Sequence, residues 1–274
     1  MLIEYENKQK LHSEIFWSQV EKAWPETTVA NKKEIPWGEK TEVCIVLCPL
    51  YSPGVLEEST LVQPPASIED SRVANKVNAY TTMIHAINGY ISGLGGETHL
   101  NIVFANKGVL FAGKPSTEQN KALSHHKEVY INFFYSFCKN NKIGMEFSDY
   151  NDWKVDFPTF VDPNASIPQE LILLKGIKDL PESKMLAQLN QYFGLQIEDS
   201  KKNRHAIERI LNMESLGYNA TFWLIAGYLA FDNKISDIIG PKGIYIAAER
   251  FEPLFGIARL TKSLKESARI QLKA

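Results

Sequence analysis

Glu42-Val43-Cys44-Ile45-Val46-Leu47-Cys48 is an almost unbroken apolar run, stopped by Pro49. It is too short for a helix and does not alternate in polarity. Such a run suits a strand covered on both faces, as in a parallel sheet. The stretch that follows, Pro49-Leu50-Tyr51-Ser52-Pro53-Gly54 and on to Gln63-Pro64-Pro65, shows no periodicity. A loop of this length within a compact fold is usually functional or disordered. Here it leaves the carboxyl end of an expected parallel strand, where open α/β sheets hold their ligands.

From Arg72 to Leu94 the apolar residues Val73, Val77, Tyr80, Ile84, Ile87, Ile91 and Leu94 recur in steps of three and four. That spacing makes one helical face, and Gly95-Gly96 ends it. Leu100–Phe104 reads as the next strand, with Gly108–Phe111 continuing it or returning as a hairpin. A helix over 117–139 turns Leu123, Tyr130, Phe133, Phe134 and Phe137 inward, and Met145–Phe147 is a third strand. Strand, helix, strand, helix, strand implies right-handed crossovers and a parallel sheet.

Toward the N-terminus, Ser13 followed by Glu14 reads as the cap of a short helix carrying Phe16, Trp17, Val20 and Trp24, ended by Pro25. Residues 25–40 read as loop. Residues 149–168, broken by three prolines, read as irregular. Helical patterns follow at about 169–180, 183–194 and 200–215, and 219–239 is apolar nearly all round, as a buried helix would be. Gly243–Ala247 is a late strand that Phe255–Arg259 could pair beside, and the tail from Thr261 reads as an amphipathic helix or a frayed end. The expectation is one Rossmann-like α/β domain over 1–274, a mostly parallel sheet flanked by helices, with residues 1–40 as an N-terminal helix and loop.

Of 274 residues, 44% are hydrophobic and 23% charged, ordinary for a chain that buries its own core. The formal net charge of -2 gives no general attraction to phosphate backbones. Three cysteines, Cys44, Cys48 and Cys138, form neither a disulfide framework nor a zinc pattern, which suits a reducing compartment. The first residues lack a signal-peptide pattern, and no run approaches the ~20 apolar residues of a membrane span. A cytoplasmic protein without membrane contact is expected.

Several chemistries lack their motifs. No Gly-x-Gly-x-x-Gly follows the first strand and no P-loop exists, so a nucleotide cofactor is disfavoured. Gly93-Leu94-Gly95-Gly96 ends a helix before a strand, the reverse of a dinucleotide turn. The histidines show no metal-ligand spacing, and there is no nucleophile elbow. What stands out is positional. Cys48 ends the first strand, where a nucleophile could face the crevice, although free cysteine is commonly a small core residue. Arg72, Asn75 and Lys76 start the first long helix, with Asn75 and Lys76 off its apolar face, where cations could hold an anion but solvation is the simpler role. Lys107, Glu249 and Arg250 follow core strands.

Three segments together resemble the isonitrile synthase family. Tyr51-Ser52-Pro53-Gly54, with its loop and helix, resembles that family's Ser-Pro-Asn loop. Ile102–Phe111 looks like its Gly-containing hairpin, and Gly243–Arg250 with Leu254–Leu260 resembles its paired late strands. The similarity runs over roughly 42–150 and 222–260. It implies a Rossmann-like biosynthetic enzyme that converts an amino acid's amine to an isonitrile. Ribulose 5-phosphate would supply the carbon, without metal or nucleotide. The resemblance implies Ser52 in the substrate loop, Arg72, Lys76, Lys107 and Arg250 as cations for the sugar phosphate, and Glu249 as acid/base group.

This chain differs from the family at named positions. A Ser-Asp-Gly-Arg stretch is Ala105-Asn106-Lys107-Gly108 here, and Ile-His-Pro is Ala247-Ala248-Glu249. The absent acid and histidine suit a third class, a non-catalytic binding protein on the same fold. Cyclodipeptide synthases offer a further resemblance, with Cys48 at their nucleophilic serine and Tyr228 with Asp232 at their Tyr-x3-Glu pair. Transfer RNA would then be a partner. The basic helix of that family corresponds here to Asn120–Lys127, which holds few cations.

Overall fold

The computed structural model describes residues 2–35, 37–47, 71–104, 117–149, 180–193, 196–214, 237–248 and 267–272, with the single positions 218, 222, 225 and 235. Two compact units divide the chain: Met1–Lys154 with Ile235–Arg250 and Glu266–Ala274, and Val155–Lys234 with Phe251–Lys265.

The first unit is an α/β sheet unit. Its strands are β1 (Thr28–Ala30), β2 (Lys40–Leu47), β3 (Glu97–Phe104), β4 (Gly144–Asp149), β5 (Ile244–Ala248) and β6 (Ala268–Leu272), in the spatial order β1-β6-β5-β2-β3-β4. β1 runs antiparallel to β6, and every other neighbouring pair is parallel. The apolar run from Glu42 to Leu47 therefore supplies the centre of the sheet. From β2 the chain steps outward through β3 to β4, then returns to the opposite side of β2 for β5 and β6. Burial of β2 and β3 on both faces toward their carboxyl ends matches the apolar runs Val43–Leu47 and Ile102–Phe104.

Helices α1 (Leu2–Ala23), α2 (Ser71–Gly93) and α3 (Thr117–Asn141) share a core with one face of the sheet. That face presents Val43, Ile45 and Leu47, Leu100, Ile102 and Phe104, Ile244 and Ile246, and Ala268, Ile270 and Leu272. Tyr80, Ile84, Ile87 and Ile91 of α2, and Tyr130 and Phe134 of α3, meet them as the helical spacing requires. Helices α2 and α3 lie on the same face because two successive crossovers of one hand, stepping in one direction, must. The opposite face buries Cys44, Val46 and Val103 but also carries Glu42, His99, Asn101, Tyr245 and Arg269.

Two helix ends follow from backbone chemistry. At the end of α2, Gly96 N donates to Ile91 O (3.0 Å) and Gly95 N to Ser92 O (3.0 Å), with Gly95 at φ 75°. This is a Schellman closure, with glycine in the left-handed position. α3 closes in the same way through Ile143 N to Cys138 O (2.9 Å) and Lys142 N to Lys139 O (3.4 Å), but Lys142 holds the left-handed position at φ 55°.

Some sequence expectations require correction. Ser13 does not cap α1, which begins some three turns earlier; it is buried in mid-helix. Its hydroxyl donates to Gln9 O and accepts from Ile35 N, both at 2.9 Å, while Trp17 Nε1 donates to Lys33 O at 2.7 Å. These bonds lay residues 33–35 along the helix. Within the expected loop, Thr28–Ala30 pairs with β6. Within the tail expected to be helical or frayed, Ala268–Leu272 is a strand with Ala268, Ile270 and Leu272 fully or almost fully buried. Residues 244–246 of β5 have β2 on one side and β6 on the other; Phe255–Arg259, expected to pair beside this strand, lie outside the described residues.

In the second unit, α4 (Pro181–Phe193) and α5 (Lys201–Glu214) match the expected helical patterns. The Asn190 side chain bonds both backbone groups of Ile197, donating to its carbonyl (2.7 Å) and accepting from its N–H (2.8 Å). Ser200 caps α5 by accepting from Asn203 N at 3.3 Å. Met185, Leu189, Ile207, Phe222 and Ile225 are buried. Among the described residues, no helix is long and apolar enough to cross a membrane.

Candidate functional site

The return of the chain across β2 creates a switch point. β2 connects outward in one direction, and β5, its neighbour on the other side, continues the opposite way. Open α/β sheets bind ligands in the crevice outside the carboxyl ends of the two strands at such a point. Those ends are Leu47 on β2 and Ala248 on β5. Cys48 is the residue after the first, and Glu249 and Arg250 are the residues after the second. The sheet thus makes neighbours of the two strands that lead into three of the residues singled out from the sequence. On the other flank, Leu47, Phe104 and Asp149 are in register, so β2, β3 and β4 end level.

Cys48, Ser52, Lys107, Tyr228, Asp232, Glu249 and Arg250 themselves lie outside the described residues. Arg72 falls in the first turn of α2. Among the candidate cations, Lys76 is the one whose side-chain burial is described, and it corrects the sequence reading. At ~100° per residue it lies about 40° from Tyr80 and about 20° from Met83 around the helix. Both of those are fully buried, and Lys76 is half-buried while Asn75 is exposed. Asn75 is off the apolar face, as expected; Lys76 is on its margin. A lysine beside Asn75 and two residues before Asn78 is easily assigned outward from the sequence, because all three are polar.

Tyr80 was legible as a core residue but not as a site-building one. Its hydroxyl donates to Val46 O at 2.8 Å, one residue from the end of β2. That buried bond sets the height of α2 against the central strand. Lys127 of α3 is a second cation that sequence reasoning passed over. Its ammonium lies 5.9 Å from the Phe104 ring centre and 5.2 Å from that of Phe147, near the ends of β3 and β4. A lysine ten residues after the start of a helix carries no sequence mark of that position.

A separate polar cluster sits near the amino ends of the strands, away from the crevice. Asn101 Nδ2 donates to Glu42 Oε2 (2.7 Å), Lys40 Nζ pairs with Glu42 Oε1 (2.7 Å), and His99 Nδ1 is 3.8 Å from Glu42 Oε2. Burial pushes the Glu42 carboxyl up, but hydrogen bonds from Lys40 and Asn101 and the charges of His99 and Lys40 outweigh it, and the net shift is downward. A depressed carboxylate stabilises the fold above its unfolded pKa of about 4.3, and the contribution is lost as pH falls through the folded value. The stability difference between wild type and Glu42→Gln, read by urea melts, is therefore expected to be full at pH 7 and to shrink below about pH 4. A difference constant from pH 7 to pH 3 would show that the carboxylate charge contributes nothing. Among the described residues, no group of three or more His, Cys, Asp or Glu could hold a metal.

No family model, curated protein or solved structure matches this chain. The site's own chemistry is the ground for a functional reading.

Proposed function

We propose that the chain is a Rossmann-like enzyme of small-molecule biosynthesis that binds its substrates in the crevice between the carboxyl ends of β2 and β5. The observation that supports this is the strand order. Renumbered along the parallel strands alone, it is 3-2-1-4-5, the doubly wound order whose switch point holds ligands. The residues that continue the chain from those two strands are Cys48, Glu249 and Arg250, a nucleophile, an acid/base group and a cation.

The resemblance to isonitrile synthases makes this reading specific. An amino acid would present its amine and ribulose 5-phosphate its carbonyl carbon. Arg72, Lys76, Lys107 and Arg250 would take the phosphate, Ser52 the substrate loop's hydroxyl role, and Glu249 the proton transfers. The polar, partly charged character of these groups fits small, highly hydrated substrates better than an apolar ligand.

A thermal-shift panel tests the reading with ribulose 5-phosphate, aromatic and aliphatic amino acids, and bulk transfer RNA. A ligand at ~100 times its dissociation constant adds about 2.7 kcal/mol to stability, which raises the midpoint visibly. The expected result is a rise with the phosphosugar that one amino acid enlarges. A rise with transfer RNA alone would replace this reading by the cyclodipeptide-synthase one, with Tyr228 and Asp232 in the site. No rise with any of them would favour a non-catalytic binding protein.

A further inference from the structure

We infer that Tyr80 holds the carboxyl ends of β2 and β5 apart: its hydroxyl takes the β2 carbonyl that the next rung of their ladder would use. This deepens the switch-point reading by naming the residue that keeps the two strands open there. The pairing itself, and the test of it, involve no ligand.

The ladder between β2 and β5 is shorter than the strands that make it. It pairs Val43 with Ile244, Cys44 with Tyr245 and Ile45 with Ile246. β2 goes on to pair with β3 through Val46 and Leu47, and β5 goes on to pair with β6 through Ala247 and Ala248. Continuing the register would set Val46 opposite Ala247 and Leu47 opposite Ala248, but neither pair is formed. The sheet therefore parts between β2 and β5 while each strand keeps its outer neighbour.

Backbone direction identifies the missing rung. Successive residues of an inner strand turn their N–H and C=O toward alternate neighbours. Glu97 N of β3 donates to Glu39 O, just before β2, so the odd-numbered residues of β2 face β3 and Val46 faces β5. Ala268 N of β6 donates to Gly243 O, so Tyr245 and Ala247 face β6 and Ala248 faces β2. In this register the next rung would run from Ala248 N to Val46 O. Val46 O accepts from the Tyr80 hydroxyl instead, at 2.8 Å. A buried carbonyl requires a donor, and Val46 is 4% exposed. Tyr80, fully buried on α2, supplies that donor from the helix-covered face, so β2 keeps its carbonyl satisfied without drawing in β5. Without the hydroxyl, the in-register donor is Ala248 N–H, and the strands close by one rung. Tyr80 is thus a positioning residue, acting on the opening through Val46.

The test is amide hydrogen exchange, read by NMR on the full chain carrying isotope-labelled alanine, in wild type and in Tyr80→Phe. Ala247 and Ala248 are adjacent and face opposite ways, so each is a control for the other. In wild type Ala247, held in the ladder with β6, should exchange about 10-fold more slowly than Ala248. In Tyr80→Phe the Ala248 amide should slow by about 3- to 10-fold as it takes over Val46 O, with no slowing at Ala247. A hydroxyl that only stabilised the fold would act with the opposite sign, since its loss would speed exchange at both alanines. Ala248 exchange unchanged or faster in Tyr80→Phe would overturn the inference. Equal protection of the two alanines in wild type would do the same, and that comparison decides the matter if the variant does not fold. Because no substrate enters the experiment, its outcome is separate from that of the thermal-shift panel.

Discussion

Replacing Ile270 by aspartate is expected to abolish cooperative folding of the sheet unit. Ile270 is 1% exposed in the middle of β6. On one side the strand pairs with β5 over Ile244–Ala248, and on the other it is the partner of β1. Its side chain belongs to the core formed by α1, α2 and α3 against the sheet. The aspartate would lose the isoleucine's burial, about 2–5 kcal/mol, and bury a charge with no partner, a further cost of several kcal/mol. Together these approach or exceed the 5–15 kcal/mol by which a typical domain is stable. The graded variant Ile270→Val should cost only about 0.5–1.5 kcal/mol and keep the transition cooperative. Circular dichroism with urea melts separates the cases. An aspartate variant that melts like wild type would mean that residues 267–272 are no part of the core.

That strand is also one that the sequence made hard to read. Ala268-Arg269-Ile270-Gln271-Leu272 alternates strictly, which is the period of a half-buried strand. The alternation lasts only five residues and follows Thr261–Ser267, where lysines and glutamate give a helical, solvent-facing composition. The longer window outweighed the shorter one. β1 is harder still, since three residues held by pairing alone leave no hydrophobic signature. The central strands were legible for the opposite reason. Burial on both faces demands an apolar residue at nearly every position, and no other element of this length shows that pattern.

The site was legible only as far as topology carries it. A loop leaving an apolar strand marks a carboxyl end, but which ends lie side by side depends on the order of the strands. That order is set by a crossover spanning residues 150–243, and no local pattern encodes it. Tyr80 shows the same limit at one residue. Its helix was found from periodicity, yet its bond to Val46 near the end of β2 joins residues 34 apart in sequence. The polar face around Glu42 and Asn101 was hidden as well. Asn101 lies within an apolar strand and reads as an exception, until its partner on β2 supplies the carboxylate that its amide needs.

Gly96 and Gly95 stand side by side, and the two should respond very differently to a side chain. A Cβ on Gly96 would come 2.6 Å from the Glu39 carbonyl oxygen and 3.0 Å from Ile91 Cγ2. The first contact is with backbone at the start of β2, where Glu97 N already donates to the same Glu39 oxygen at 3.3 Å. The second is with a fully packed core residue of α2. Neither can withdraw as a flexible side-chain tip could. Gly96→Ala must therefore push β2 away from the turn or open the Schellman closure that Gly96 N makes with Ile91 O. The expected cost is about 2–4 kcal/mol, at and above the usual range for overpacking, because a backbone hydrogen bond is strained along with the contact. Around a Cβ on Gly95 there is nothing within 4 Å, and the only penalty is the left-handed backbone at φ 75°. Asparagine tolerates that region, so Gly95→Asn should cost about 1 kcal/mol or less. Urea melts of the two variants give the comparison directly. If Gly95→Asn proved the more damaging, the left-handed turn rather than the close approach to β2 would be what fixes the junction between α2 and β3.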